Sequence, residues 1–287
     1  MRRSANAYLF LAFPLTILFV FTLLPTVLGL GLSLFSWSGE DVRFIGLANY
    51  RALLEDDKFG PALRNTLLYV LLSVPPMVIA AFGLAVLVNA RWFVGRTIVR
   101  TIIFMPTVVS IVAIGFVWRW VLNDRSGLLN WMLGLIGIAD TPSWLQDGWW
   151  PFAWIVIISV WRGLGFCLVL YLAALSSINE SLYEAAELDG ASRWNVVRHI
   201  TWPQTAPTTA FLLVTGVIGA LQIFDIVFVI TGESESSVTN VLNLHVYRQF
   251  TYGQFGYAAA IGAVIFLLTL LATAFQLAVL TRGRRSP

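Results

Sequence analysis

The polarity of the chain alternates between long apolar runs and shorter polar segments. Six apolar runs are long enough to cross a bilayer, since about 20 helical residues span its hydrocarbon core. They lie at Tyr8–Phe35, Leu63–Val88, Thr101–Leu122, Phe152–Ser176, Thr208–Ile230 and Tyr257–Leu280. The pattern therefore predicts an all-α integral membrane protein with six transmembrane helices.

The longest structured polar segment lies between the fourth and fifth runs. Ser181 followed by Glu184 matches a capping box, which predicts the start of a short helix. Gly190 favours a helix end, and Ser192 favours the start of a second helix. Pro203 is interpreted as the return into the membrane. Residues 179–205, called the polar hairpin below, are therefore predicted to form two short helices joined by a glycine turn.

The composition supports a membrane protein and excludes some activities. The chain is 58% hydrophobic and 11% charged, against about 25% charged residues in soluble domains. The single lysine, Lys58, precedes Phe59, so the chain contains no phosphate-binding loop of the G-x-x-x-x-G-K-[ST] type. The basic residues cluster at the ends of the apolar runs, which does not resemble a nucleic-acid surface. One cysteine, Cys167, leaves no disulfide framework.

The arginines predict the orientation. With both termini in the cytoplasm, ten basic residues lie inside and seven outside, which favours this topology. The ten are Arg2, Arg3, Arg91, Arg96, Arg100, Arg193, Arg198, Arg282, Arg284 and Arg285. The predicted organisation is an N-terminal anchor and outer loop (1–62), a transmembrane core (63–282) that carries the polar hairpin on the cytoplasmic side, and a short basic tail (283–287).

Two ionisable residues fall inside predicted spans, Arg162 in the fourth and Asp225 in the fifth. Charges at such depth face a bundle interior or a water-filled path. Two readings stay open: a buried ion pair between the helices, or a polar lining of a translocation path. In the second reading, Gln222 and Phe224, which lie close to Asp225 in the sequence, line the path together with Arg162 and Asp225.

The charge of the polar hairpin favours a docking role over that of a simple connector between two membrane helices. Its first helix carries four acidic residues: Glu180, Glu184, Glu187 and Asp189. A helix that lies on an anionic membrane surface carries Lys and Arg instead. The small residues Ala185, Ala186 and Ala191 permit close approach of a partner. The segment is therefore predicted to dock onto a basic surface of another protein.

The polar hairpin resembles the EAA loop of permease subunits of binding-protein-dependent ABC importers. That pattern reads E-A-A-x3-G-x9-I-x-L-P, and here Glu184, Gly190, Ile200 and Pro203 match it, while Trp202 replaces the leucine. Further segments, such as Phe224-Asp225 and Phe255-Gly256, are similar to the maltose-permease-like branch that imports sugars and glycerol phosphate. A family proline before the first hairpin helix is replaced by Asn179.

The resemblance implies a type I importer permease in a bacterial or archaeal inner membrane. Such a subunit pairs with a second homologous permease, contacts a cytoplasmic ATPase dimer through its EAA loop, and receives solute from an extracytoplasmic binding protein. It implies that this chain is not an enzyme and binds no cofactor, with ATP and Mg²⁺ on the ATPase. The implied ATPase-coupling residues are Glu184, Ala185, Ala186, Asp189, Gly190, Ala191, Ile200 and Pro203. The alternative is a secondary transporter driven by an ion gradient. We expect Trp202 to pack against the chain's own helices.

Overall fold

The computed structural model describes residues 11–283 except 40, 91, 139 and 233–237. Arg2, Arg3, Arg91, Arg284 and Arg285, which entered the orientation argument, lie outside the described residues. The described part contains these helices, in chain order: α1 (Leu11–Leu32), α2 (Ala48–Glu55), α3 (Phe59–Asn89), α4 (Arg96–Val108), α5 (Ile111–Val121), α6 (Leu128–Leu135), α7 (Trp150–Ser176), α8 (Glu180–Leu188), α9 (Arg193–Leu221), α10 (Asp225–Thr231), α11 (Leu242–Thr251) and α12 (Phe255–Gly283).

A short β-hairpin follows α1. Strands β1 (Phe35–Trp37) and β2 (Val42–Phe44) are antiparallel, with Phe35 opposite Phe44. Asn49 of α2 holds the entry to this hairpin, because its side-chain amide donates to the backbone carbonyls of Ser33 at 2.8 Å and Phe35 at 2.9 Å. The loop after the first apolar run is therefore folded onto the helices.

Five helices of the described residues are long and apolar enough to cross a membrane: α1, α3, α7, α9 and α12. The third predicted span differs from the expectation of one helix. It consists of α4 and α5, which meet at an angle of 100°. Pro106 removes a backbone donor near the end of α4, and Val109 and Ser110 then adopt extended backbone angles. Counted as one broken span, this pair brings the candidate membrane spans of the described residues to six, the predicted number.

The fifth predicted span, Thr208–Ile230, is also wrong in its limits. Helix α9 begins at Arg193 and passes through Pro203, so this proline does not mark a new helix. A π-turn at Val197–Thr201 precedes it, and the Trp202 N–H donates to the Val197 carbonyl five residues back. This wider turn accommodates a proline that would disturb an ordinary α-helix. The helix then ends at Leu221, and α10 starts separately at Asp225.

The main core lies between α3, α7 and α9, and α4 packs along α7. Gly165 of α7 sits where α4 passes closest. A Cβ atom there would lie 2.5 Å from Thr107 Oγ1, 2.6 Å from the Ile103 carbonyl oxygen and 2.8 Å from Phe104 Cα. Two of these three atoms belong to the backbone, so only glycine fits without moving the helices apart.

A polar cluster around the buried His245 joins distant parts of the chain on the side opposite the polar hairpin. Asp56 Oδ2 accepts a hydrogen bond from Tyr257 Oη at 2.6 Å and lies 2.9 Å from His245 Nε2. Burial lowers the pKa of His245 and outweighs the carboxylate beside it, so its ring is neutral at pH 7 and donates to Asp56. Burial alone would raise the pKa of Asp56, but the hydrogen bonds of Tyr257, the Lys58 N–H and His245 keep that pKa below its ordinary value.

Candidate functional site: the polar hairpin and two cavities

The first helix of the polar hairpin has its N-cap two residues earlier than the sequence predicted. Asn179 is the N-cap, and its side-chain oxygen accepts from the Ser181 N–H at 3.1 Å. The capping box from Ser181 to Glu184 is therefore a wrong prediction. Asn is as strong an N-cap as Ser, and it also stands where the resembling family places proline. Asn179 therefore performs the helix-starting role that was assigned to Ser181.

The turn at Gly190 is confirmed and has a defined geometry. Gly190 has a φ of +70°. Its N–H donates to the Glu187 carbonyl at 3.1 Å, and the next N–H, of Ala191, donates to the Ala186 carbonyl at 2.9 Å. This pair of bonds is a Schellman motif, which satisfies the last carbonyls of α8. Ser192 then accepts from the Asn195 N–H at 3.3 Å, which confirms it as the cap of the following helix.

The two arms of the polar hairpin are fixed to each other, and their outer surface is open. The hydroxyls of Tyr183 and Thr201 lie 3.3 Å apart and join α8 to the start of α9. Leu188 is 89% exposed and Trp194 is 69% exposed. Of the predicted coupling residues, the structure places Glu184, Ala185, Asp189, Gly190 and Pro203 on the surface and half-buries Ala186, Ala191 and Ile200. An exposed acidic helix with apolar side chains beside it offers an interaction surface.

Trp202 connects the polar hairpin to the membrane core. Its ring packs edge-to-face on Phe82 of α3, with ring centroids 4.9 Å apart. Phe82 in turn contacts Tyr171 of α7 at 5.5 Å, and the Tyr171 hydroxyl lies 2.8 Å from Thr209 Oγ1. This contact confirms the expectation that Trp202 packs against the chain's own helices. It also places the hairpin in direct contact with α3 and, through it, α7.

The ion pair considered for Arg162 and Asp225 is absent among the described residues. Asp225 is exposed at the first turn of α10, outside the long helix in which the sequence placed it. Arg162 is half-buried on α7, where its Nε is buried without a hydrogen-bond partner among the described residues, and its carbonyl accepts from Thr107 Oγ1 at 3.0 Å. The helix break at 222–224 separates the two charges.

Gln222 and Phe224 lie on a cavity of about 890 Å³, called the aromatic cavity here. It is bounded by α11 and α12, and Arg162 and Asp225 do not line it. Phe224 stacks on Phe228 with centroids 5.4 Å apart, and Tyr247 contacts Phe224 at 5.3 Å. No sequence pattern pointed to Tyr247, because α11 lies in a polar segment and is brought here only by tertiary packing. That Arg162, Gln222, Phe224 and Asp225 line the translocation path stays a prediction.

A second cavity of about 410 Å³, called the polar cavity here, lies on the side opposite the polar hairpin. It is lined by residues from α5, α10 and the loop before α7, including Arg119, Asp124 and Thr239. Trp144 of that loop is 8% exposed, and its Nε1 donates to Asn130 Oδ1 at 2.6 Å. Trp144 is therefore a buried, hydrogen-bonded packing residue of this loop.

Comparison with known proteins gives the family. Residues 57–285 match the family described as "Binding-protein-dependent transport system inner membrane component". The chain is 33% identical over 285 residues to the probable ABC transporter permease protein YurN of Bacillus subtilis, and the match covers 96% of each chain. It is 35% identical over 280 residues to the lactose transport system permease protein LacF of Rhizobium radiobacter, covering 95% of this chain and 93% of the relative.

The fold agrees with a solved transporter. The structure matches a chain of the bacterial alginate ABC transporter in complex with an alginate pentasaccharide-bound periplasmic protein, with a TM-score of 0.89 and 27% identity. The match covers 99% of this chain and 97% of that one. The chain therefore belongs to the binding-protein-dependent transport system inner membrane components, the permease subunits of ABC importers.

Proposed function

We propose that this permease forms, with a second homologous permease, the membrane pathway for a sugar or a related polar solute. The observation that carries the proposal is the exposed polar hairpin, an acidic helix closed by the glycine turn at Gly190 and joined to the membrane core through Trp202. Relatives named for lactose and for trehalose and maltose transport support the solute class. The family leaves the ion-gradient alternative without support.

In this proposal the polar hairpin lies in the cytoplasm and both termini lie on the same side. Glu184 forms an ion pair with a basic residue of an ATPase dimer, and Leu188 and Trp194 supply apolar contact around it. ATP and Mg²⁺ bind to that ATPase, and this chain binds no cofactor. Movement of the hairpin then reaches α3 through the contact between Trp202 and Phe82.

The solute arrives from a binding protein on the opposite side of the membrane. The aromatic cavity offers a surface for it, because the aromatic rings of Phe224, Tyr247 and Phe250 line it and suit the C–H faces of a sugar ring, and Gln222 offers amide hydrogen bonds. Its volume of about 890 Å³ lies within the range of about 300–1,000 Å³ for small-molecule sites.

Reconstitution tests the proposal. The chain is assembled in liposomes with its second permease, its ATPase and its binding protein, and ATP hydrolysis is measured with a panel of sugars. We expect one loaded binding protein to stimulate hydrolysis and to drive sugar uptake that stops without ATP. Uptake that continues without the ATPase but collapses with an ion gradient would contradict the proposal.

A further inference from the structure

Helix α11 forms a wall of the aromatic cavity with only one of its sides. Asn243, Val246, Tyr247 and Phe250 of this helix line the cavity. An α-helix turns about 100° per residue, so His245, two residues before Tyr247, lies on the opposite side of the helix. His245 is 1% exposed, which places that side of the helix in the protein interior. The rotation of α11 about its own axis therefore decides which side chains face the cavity.

The buried side of α11 is held by the polar cluster around His245. Its Nε2 donates to Asp56 Oδ2 at 2.9 Å, and Tyr257 Oη of α12 donates to the same oxygen at 2.6 Å. The other carboxylate oxygen of Asp56, Oδ1, accepts from the Lys58 N–H at 2.8 Å. Both oxygens of Asp56 therefore act as acceptors, and this residue joins the turn between α2 and α3 to both α11 and α12.

The first turn of α11 has a second anchor, which comes from α3. Val241 stands at the N-cap position, and its side chain accepts no hydrogen bond. The Leu242 N–H donates instead to Thr66 Oγ1 at 3.0 Å, and both residues are fully buried. The side-chain amide of Asn65 donates to the Asn240 carbonyl beside it at 3.0 Å. Helix α3 thus supplies the cap that the residues before α11 lack.

We propose that Asp56 and Thr66 are positioning residues of the solute pathway, which set the rotation of α11 and so the wall of the aromatic cavity. Neither residue lines that cavity, so both act on it through α11. Thr66 holds the helix at Leu242, and Asp56 holds it at His245, about one turn further along. A single hydrogen bond would let the helix turn about that point, whereas two bonds to different residues fix its rotation.

The same anchors connect the cavity to the polar hairpin. Thr66 and Phe82 belong to one helix, α3, and Phe82 packs against Trp202. A displacement of α3 is therefore passed to the first turn of α11, and the side of α11 that carries Tyr247 and Phe250 moves with it. This inference rests on the proposed function in taking the aromatic cavity as a surface for the solute.

The test observes the cavity wall directly. The permease pair is purified in nanodiscs with fluorotyrosine in place of Tyr247 alone, and its fluorine NMR spectrum is recorded. Thr66→Val removes the acceptor for the Leu242 N–H with little change in shape, whereas Thr66→Ser keeps the hydroxyl. Asp56→Asn leaves one acceptor oxygen where two are used, because the amide nitrogen only donates. A second sample carries the label at Tyr183 in the polar hairpin and reports on the overall fold.

We expect Thr66→Val and Asp56→Asn to shift or split the signal at Tyr247 and to leave the signal at Tyr183 unchanged. Thr66→Ser should keep the wild-type spectrum at both labels. In the complete importer, ATP-dependent uptake by Thr66→Val should fall about fivefold, as expected for one lost buried hydrogen bond, while its binding of the ATPase stays at the wild-type level.

The inference is overturned if the signal at Tyr247 is the same in all variants, or if Thr66→Ser changes it as much as Thr66→Val. It is also overturned if the signals at Tyr183 and Tyr247 change together, because that result indicates general unfolding. Wild-type uptake by variants with a changed Tyr247 signal would overturn it and leave the proposed function standing. The fluorine spectra need no solute, so they decide the positioning of α11 even if the wild-type importer takes up no sugar, a result that would contradict only the proposed function.

Discussion

Gly190 offers the sharpest test of the polar hairpin, because its φ of +70° is a backbone state that other residues adopt at a cost. No heavy atom lies within 4 Å of the position that a Cβ would take, so a substitution here introduces strain without a clash. The left-handed conformation costs an alanine about 1–2 kcal/mol. That energy corresponds to a factor of about 5–30 in the population of the turn.

The matched pair is Gly190→Ala and Gly190→Asn. Both add a side chain into open space, but asparagine enters the left-handed region more readily than other non-glycine residues. If the ATPase recognises the Schellman turn, Gly190→Ala should weaken its binding to the permease by up to about 5–30-fold, and Gly190→Asn should weaken it less. The helices on either side keep their caps at Asn179 and Ser192.

The assay titrates fluorescent ATPase subunit onto the permease pair in nanodiscs and measures ATP-dependent uptake in parallel. Immunoblots of the membrane fraction show whether each variant inserts. Wild-type affinity in Gly190→Ala would refute the role of the turn. A greater loss in Gly190→Asn than in Gly190→Ala would refute the conformational reasoning, because it would point to side-chain contact.

Three further predictions concern charge, packing and pH. Glu184→Lys should abolish uptake while the protein still inserts, because it puts a cation against the basic partner; normal uptake would exclude the ion pair. Gly165→Ala should lower the unfolding temperature through overpacking of about 1–3 kcal/mol, whereas Gly83→Ala, with no heavy atom within 4 Å, should not. Burial lowers the pKa of His245, so below pH 6.5 the unfolded chain binds a proton more readily than the folded chain does. The free energy of unfolding should therefore fall as the pH drops below 6.5. Thermal unfolding at pH 7 and 5 should show a smaller difference in His245→Gln.

The membrane helices and the polar hairpin were largely predictable, since both depend on local patterns. Apolar length identified the spans, and glycine and serine identified the turn and the second cap. Two local signals misled the prediction. Ser181 was predicted as the N-cap, but Asn179, an equally good cap, holds that position. Pro203 suggested the start of a new segment, but the π-turn at Val197–Thr201 lets one helix continue through it.

The sites between helices were not predictable. Gln222 and Phe224 were singled out from their own run, but the aromatic cavity is completed by α11 and α12. The pairing considered for Arg162 and Asp225 assumed one straight helix, and the break after Leu221 separates them. Distances between helices depend on where each helix bends, and the hydrophobic pattern does not report bends.

What the sequence alone determined is the set of membrane helices and the acidic, glycine-hinged hairpin, because burial in a bilayer and helix capping act over a few neighbouring residues. Only the tertiary structure decided which polar groups face a common space. Asp124 and Thr231 are far apart in the chain and carry no shared motif. They line the same cavity because α5 packs against α10, and that packing follows from close-fitting side chains such as Val229 against Gly115.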